Sequence, residues 1–428
     1  MVIGVQRMKS TLIFLRNSLA YILLFCLYLC PSHISAQAIE AGYGKGEVLK
    51  IDQWLANGVK QQSAQSFWLG YIYQTHADEH CAYAADYNYP TLTFGLLVAD
   101  FNNVKLRYNP NGTRPIDYDS RCGTSYILYA TIRRAFFRTQ SGWSIDYQFG
   151  NGVGYNTHIY NRFSNVDNIM LGSRLSIYFD IALNLNYHYR QYEFFLRPEF
   201  KHLSNGGTIR PNKGINKTGI GAGFRYHLQT YDSISFKRSN QTLEERKIYL
   251  NFSYSSGIRA SQGEWLYDAN NYIWNNNNVE SIKYGKDGYR TCFYHLISTN
   301  LMYRYARRYA SGIGFDALYE PYNLDVETQI AKKCPEQVMW SFGLAAKHEV
   351  YFRRLSMQMA IGYYLSRPFN EYSNTDEEYP FYERIGLRYN LPFLSNRISV
   401  GYNVYAHLTK AYGTELVISF NLPITNSL

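Results

Sequence analysis

The run from Leu175 to Tyr189 constrains this chain more than any other stretch. Leu175, Ile177, Phe179, Ile181, Leu183, Leu185, Tyr187 and Tyr189 fall on one face of an extended strand. Ser176, Tyr178, Asp180, Ala182, Asn184, Asn186 and His188 fall on the other. Alternation alone fits a soluble sandwich as well as a barrel, so length has to decide. The run covers 15 residues, whereas strands of globular proteins usually have about 5–6 and a bilayer crossing takes roughly 9–11. The same alternation recurs from Trp143 to Phe149, Ile248 to Tyr254, Leu355 to Tyr363, Ile398 to Leu408 and Leu416 to Phe420. It predicts an all-β chain, a transmembrane antiparallel β-barrel of roughly 14–16 strands.

Connections differ in length. Arg190-Gln191 and Arg353-Arg354 are short, whereas Ala260 to Tyr289 is long and polar. Outer-membrane barrels have short periplasmic turns and longer extracellular loops, which places Arg190-Gln191 at the periplasm. Tyr231 to Arg246 is the best candidate for a linker between two halves, 37–230 and 247–428. A mean hydropathy of −0.34 reads as soluble. The 17% aromatic content, led by 43 Tyr, fits instead the aromatic girdles of a barrel.

The N-terminus reads as an export signal. Arg7, Lys9 and Arg16 form a basic region, Ser18 to Leu29 an apolar one, and Ser35 and Ala36 are small. Cleavage after Ala36 is expected, and the apolar run is too short to favour a membrane-spanning helix. The net charge of +10 is scattered along an exported chain, so nucleic acid is not expected as a partner. An anionic lipid surface or plain solvation accounts for it equally well. Past the signal stand Cys81, Cys122, Cys292 and Cys334. An even number in an oxidising compartment suggests disulfides. Three connectivities are open, and the spacings favour Cys81–Cys122 and Cys292–Cys334. Without a CxxC pair no metal is expected.

The chemistry gathers between Tyr192 and Tyr226. One face of the first strand carries Tyr192, Phe194, Leu196, Pro198, Phe200, His202 and Ser204; the other carries Glu193, Phe195, Arg197, Glu199, Lys201 and Leu203. His202 and Ser204 thus end the apolar face, where polar groups are expensive. The return strand aligns Asn216, Thr218, Ile220, Ala222, Phe224 and Tyr226. Pairing the apolar faces brings Asn216 level with His202 and Ser204. A hydroxyl, an imidazole and a carboxamide then match a nucleophile, its base and the group that orients the base. The turn Asn205-Gly206-Gly207 carries little bulk, so its N–H groups can approach an oxyanion. The charges of Glu193, Arg197, Glu199 and Lys201 read as a lumen network.

At His202-Leu203-Ser204-Asn205-Gly206-Gly207, followed by Arg210-Pro211-Asn212-Lys213-Gly214-Ile215-Asn216, the chain resembles the lipid A 3-O-deacylase (PagL-like) family of outer-membrane barrels. The likeness covers Phe195 to Tyr226. It implies catalytic His202 and Ser204, an oxyanion hole at Asn205 and Gly207, and lipid A as substrate in the cell outer membrane. That family usually has Glu where this sequence has Asn216. The outer-membrane phospholipase A family is similar over the His-x-Ser-Asn-Gly motif and has Asn at this spacing, which implies a phospholipid substrate and calcium. For a deacylase no cofactor or metal is expected. A chain this long looks like an extended form of the eight-stranded family. A non-catalytic pore or adhesin is the rival from another class. A second His-x-Thr, His407-Leu408-Thr409 with Glu415 nearby, aligns with Arg397, Ser399, Asn403 and Tyr405 on the face opposite the apolar row. Those residues are expected to be structural.

Overall fold

The computed structural model describes residues 38–75, 82–106, 120–228, 246–261, 265, 291–323, 339–367, 380–408 and 410–424. The expected signal, the linker residues 229–245, Cys81, Cys334 and Thr409 lie outside the described residues. The alternating runs form long antiparallel strands, and these close into two barrels of eight, not into one. The first contains β1 (Ala38–Val48), β2 (Ser63–Gln74), β3 (Thr91–Asp100), β4 (Thr124–Arg138), β5 (Trp143–Asn156), β6 (Leu175–Tyr189), β7 (Tyr192–Ser204) and β8 (Ile215–His227). It closes because β1 pairs with both β2 and β8. The second contains β9 (Lys247–Ala260), β10 (Thr291–Ala306), β11 (Tyr309–Tyr319), β12 (Trp340–Phe352), β13 (Leu355–Ser366), β14 (Phe381–Asn390), β15 (Ile398–His407) and β16 (Lys410–Pro423). Here β9 pairs with β10 and with β16. Alternation fixes which face each side chain takes, but closure depends on which strand returns to which, and no local pattern records that.

Each barrel turns its apolar row outward. Along β7, Tyr192, Phe194 and Leu196 are about half exposed, while Glu193, Phe195, Arg197 and Glu199 between them are buried. The lumen of the first barrel is filled by charge. Glu193 accepts from Arg133 at 2.7 Å and from Arg225 at 2.6 Å. Glu199 meets Arg197 at 3.2 Å, Lys217 at 3.1 Å and also Lys201. Such groups are tolerable inside a barrel only because each is paired. The second lumen is filled around Asp316, which pairs with Lys347 at 2.9 Å and Arg384 at 2.7 Å. Above it, tyrosines 294, 364, 382, 405 and 412 pack together. Buried charged and aromatic side chains thus line both interiors among the described residues.

Short turns gather at one rim, with Arg190-Gln191 and Arg353-Arg354, and longer connections at the other. Within the barrels, two connections break this rule. Between β15 and β16 only Leu408 and Thr409 intervene at the loop rim. At the turn rim, the β2–β3 connection carries the short helix α2 (Ala82–Asp86). Tyr87 donates to the Tyr351 carbonyl at 2.7 Å, Arg304 donates to the Tyr83 hydroxyl at 2.8 Å, and Asp86 faces Arg307 at 3.4 Å. The first barrel is thus fastened to the turn rim of the second. Each of the two expected disulfides, Cys81–Cys122 and Cys292–Cys334, has one cysteine outside the described residues.

Over the loop rim of the first barrel, α1 (Gln53–Gly58) is capped by Asp52, which accepts from the Leu55 N–H at 2.9 Å. The other Asp52 oxygen takes Lys213 at 2.8 Å, so α1 is tied to the loop that follows Ser204. Burial alone would raise the Asp52 carboxyl, but the hydrogen bonds from Lys213 and Leu55 outweigh it and hold it below the usual carboxylate range.

Two stability predictions follow from these contacts. Glu199→Gln leaves three buried cations undercompensated and should cost about 3–5 kcal/mol, read from urea unfolding in lipid vesicles. Because the folded Asp52 titrates below its unfolded value of about 3.9, its contribution is present above that pH and is lost as pH falls through the folded value. Melting curves taken at stepwise lower pH should therefore show a fall below about pH 4 that Asp52→Asn lacks.

Candidate active site

The hairpin β7–β8 sets the site by register. His202 lies directly opposite Asn216, and both belong to the outward row that begins at Tyr192 and Tyr226. Ser204, two residues beyond His202, shares that face. The structure brings the three side chains together. His202 Nδ1 is 2.8 Å from Asn216 Oδ1, and His202 Nε2 is 2.9 Å from Ser204 Oγ. A carbonyl oxygen can only accept, so the Nδ1 proton points at Asn216 and Nε2 keeps its lone pair for the serine hydroxyl. That is the arrangement a general base needs beside a nucleophile. Ser204 and Asn216 are only 6% and 7% exposed.

The loop after Ser204 builds the rest. Gly206 and Gly207 take φ of 66° and 82°, in the left-handed region where side chains are disfavoured, and so fold the chain sharply past the hydroxyl. The Asn205 N–H donates to Asn212 Oδ1 at 3.0 Å, and the Gly207 N–H donates to Asn205 Oδ1 at 3.0 Å. Of the three N–H groups expected to form an oxyanion hole, two are thus engaged within the loop. That of Gly206 has no acceptor among the described residues. Gly214 closes over the imidazole, where an added Cβ would lie 2.9 Å from His202 Cε1. Asn212 and Gly214 were visible in the sequence as part of the second half of the motif, but their supporting roles were not.

The loop also leans on the second barrel. The Ala260 N–H donates to the Gly207 carbonyl at 2.9 Å, and Arg210 Nε donates to the Ala260 carbonyl at 3.0 Å. The Thr414 hydroxyl donates to the Gly206 carbonyl at 3.4 Å. No sequence signal links Gly206 to a residue so far along the chain. His407, in contrast, points into the second lumen, where its Nε2 lies 2.8 Å from the Tyr364 hydroxyl. Glu415 is fully buried there and takes Arg384 at 3.3 Å, so neither residue reaches a lipid-facing surface.

One cluster could hold a cation on geometry alone. Ligand atoms of His188, Glu193 and His227 lie within 4.8 Å of one another at the turn rim. Glu193 already receives two guanidinium groups there. It also stands eleven residues before Ser204, about 35 Å along the strand. The cluster plays no part at the hydroxyl.

The hairpin lies within one of two family matches. Residues 87–225 match the model for lipid A 3-O-deacylase (PagL). Residues 265–424 match that for the acyloxyacyl hydrolase C-terminal domain (PagL_C). No curated protein matches the chain at a significant level. Among solved structures, the outer membrane enzyme PagL is 14% identical, with 44% of this chain and 99% of that one covered and a TM-score of 0.27. An outer membrane channel from Pseudomonas putida F1 is 7% identical over 92% of this chain and 99% of its own, with a TM-score of 0.20. A mutant of Rh. blastica porin is 7% identical over 90% and 99%, with a TM-score of 0.16. Scores this low carry no argument about mechanism. The family matches span most of both barrels, and the chain belongs to the PagL family of outer-membrane lipid A-deacylating β-barrel enzymes.

Proposed function

We propose that this chain is a serine esterase that removes an acyl chain from lipid A in the outer membrane. The observation that carries the reading is the continuous relay Ser204 Oγ, His202 Nε2, His202 Nδ1, Asn216 Oδ1 on the outward wall of the first barrel. A hydroxyl beside hydrocarbon meets acyl esters, not dissolved substrates.

In this mechanism Ser204 Oγ attacks the ester carbonyl carbon while its proton passes to His202 Nε2. The Gly206 N–H is the donor of the turn that can meet the resulting oxyanion. Collapse breaks the bond to the sugar oxygen, which leaves with the proton from His202. Water, deprotonated by His202, then attacks the acyl-serine and releases the fatty acid. Asn216 holds the ring in the tautomer that accepts the serine proton. Being neutral, it offers the imidazolium less stabilisation than a carboxylate would. Asn at this position is also the feature shared with the phospholipase pattern, so glycerophospholipid is the substrate to test beside lipid A.

Ser204→Ala should lower deacylation by roughly 10⁶-fold while the barrel still assembles, as judged by mass spectra of lipid A before and after incubation. Asn216→Leu, which cannot accept the Nδ1 proton, should reduce kcat with little change in KM. Unaltered lipid A beside wild-type protein would sink the proposal, and release of fatty acid from glycerophospholipid alone would reassign the substrate.

A further inference from the structure

Two sets of contacts join the barrels beside Ser204. The first is that of Gly206 with Thr414 and of Gly207 with Ala260. A Cβ at Gly206 would strike the Thr414 hydroxyl, so the turn and the second barrel are in close contact. The second is polar too: the Tyr402 hydroxyl donates to Asn151 Oδ1 at 2.8 Å. Register connects the two contacts. Asn151 is paired with Phe179, and Phe179 with His202. Tyr402 is paired with Leu416, which follows Thr414 on the same outward face of β16. One strand forward from the Asn151–Tyr402 contact, Phe179 therefore stands on one wall and Leu416 on the other.

Further along the strands toward the turn rim, both barrels carry exposed apolar side chains. Ile181 and Leu183 of the first barrel are 40% and 45% exposed, and Leu416 and Ile418 of the second are 73% and 50% exposed. Apolar surface on two barrels held together beside a nucleophile suits something slender and apolar. A hydrocarbon chain fits that description, and its ester end would arrive at Ser204.

We propose that the second barrel forms one wall of the acyl-binding cleft, and that Leu416 and Ile418 set the chain length accepted for cleavage. This rests on the esterase reading of Ser204. It also gives the second barrel a function that its filled lumen does not.

The test compares kcat/KM for lipid A carrying long or short acyl chains at the cleaved position. Leu416→Trp and Ile418→Trp narrow the cleft from the second barrel without touching the relay. Ile361→Trp, on the lipid-facing side of β13 away from the cleft, is the control. Protein that retains folded, heat-modifiable mobility on gels is assayed. The ratio of long-chain to short-chain hydrolysis should fall about tenfold or more in the two cleft variants and stay at the wild-type value in the control. An unchanged ratio in both cleft variants, or an equal shift in Ile361→Trp, overturns the assignment while leaving the esterase intact. Absence of hydrolysis by the wild type would instead overturn the esterase reading, and the assignment with it.

Discussion

The pairing of His202 with Asn216 across β7 and β8 is the constraint on which the site depends. A slip of one residue would turn every side chain of a strand to the other face, placing Lys201 and Leu203 against hydrocarbon and Ser204 in the lumen. The register is held from both sides of the wall. Inside, Glu199 on β7 pairs with Lys217 on β8; outside, the apolar rows must both meet lipid. Folding energy and catalytic geometry are thus fixed by the same alignment. The hydroxyl needs no separate device to face outward.

The two barrels divide the work. The first carries the relay and the loop that folds past it. The second carries no comparable outward group at its matching His407, but it touches the active loop through Ala260 and Thr414. A further apolar seam links them above the membrane, where Trp265 enters the cluster of Leu55, Val59 and Val166 and lies 6.3 Å from Trp54, ring centre to ring centre.

Much of this was legible in the residues because a strand has a period of two. The faces of β6, β7 and β8, the lumen placement of Glu193, Arg197, Glu199 and Lys201, and the approach of Asn216 to His202 all follow from counting. What depends on long-range closure did not follow. Roughly 14–16 strands could be counted, but their division into two closed barrels depends on β1 meeting β8 and β9 meeting β16. Within the site, Asn205 and Gly207 were legible as a turn. That their N–H groups are engaged by side chains of the same loop was not.

Helix α2 has a consequence for assembly. It belongs to the first half of the chain, yet Arg304, Arg307 and the Tyr351 carbonyl that it meets are all in the second. The first barrel thus offers Tyr83, Asp86 and Tyr87 at its turn rim to strands of the second. These contacts fix where the two barrels meet at that rim. A truncated chain ending after β8 would leave those side chains with nothing to grip.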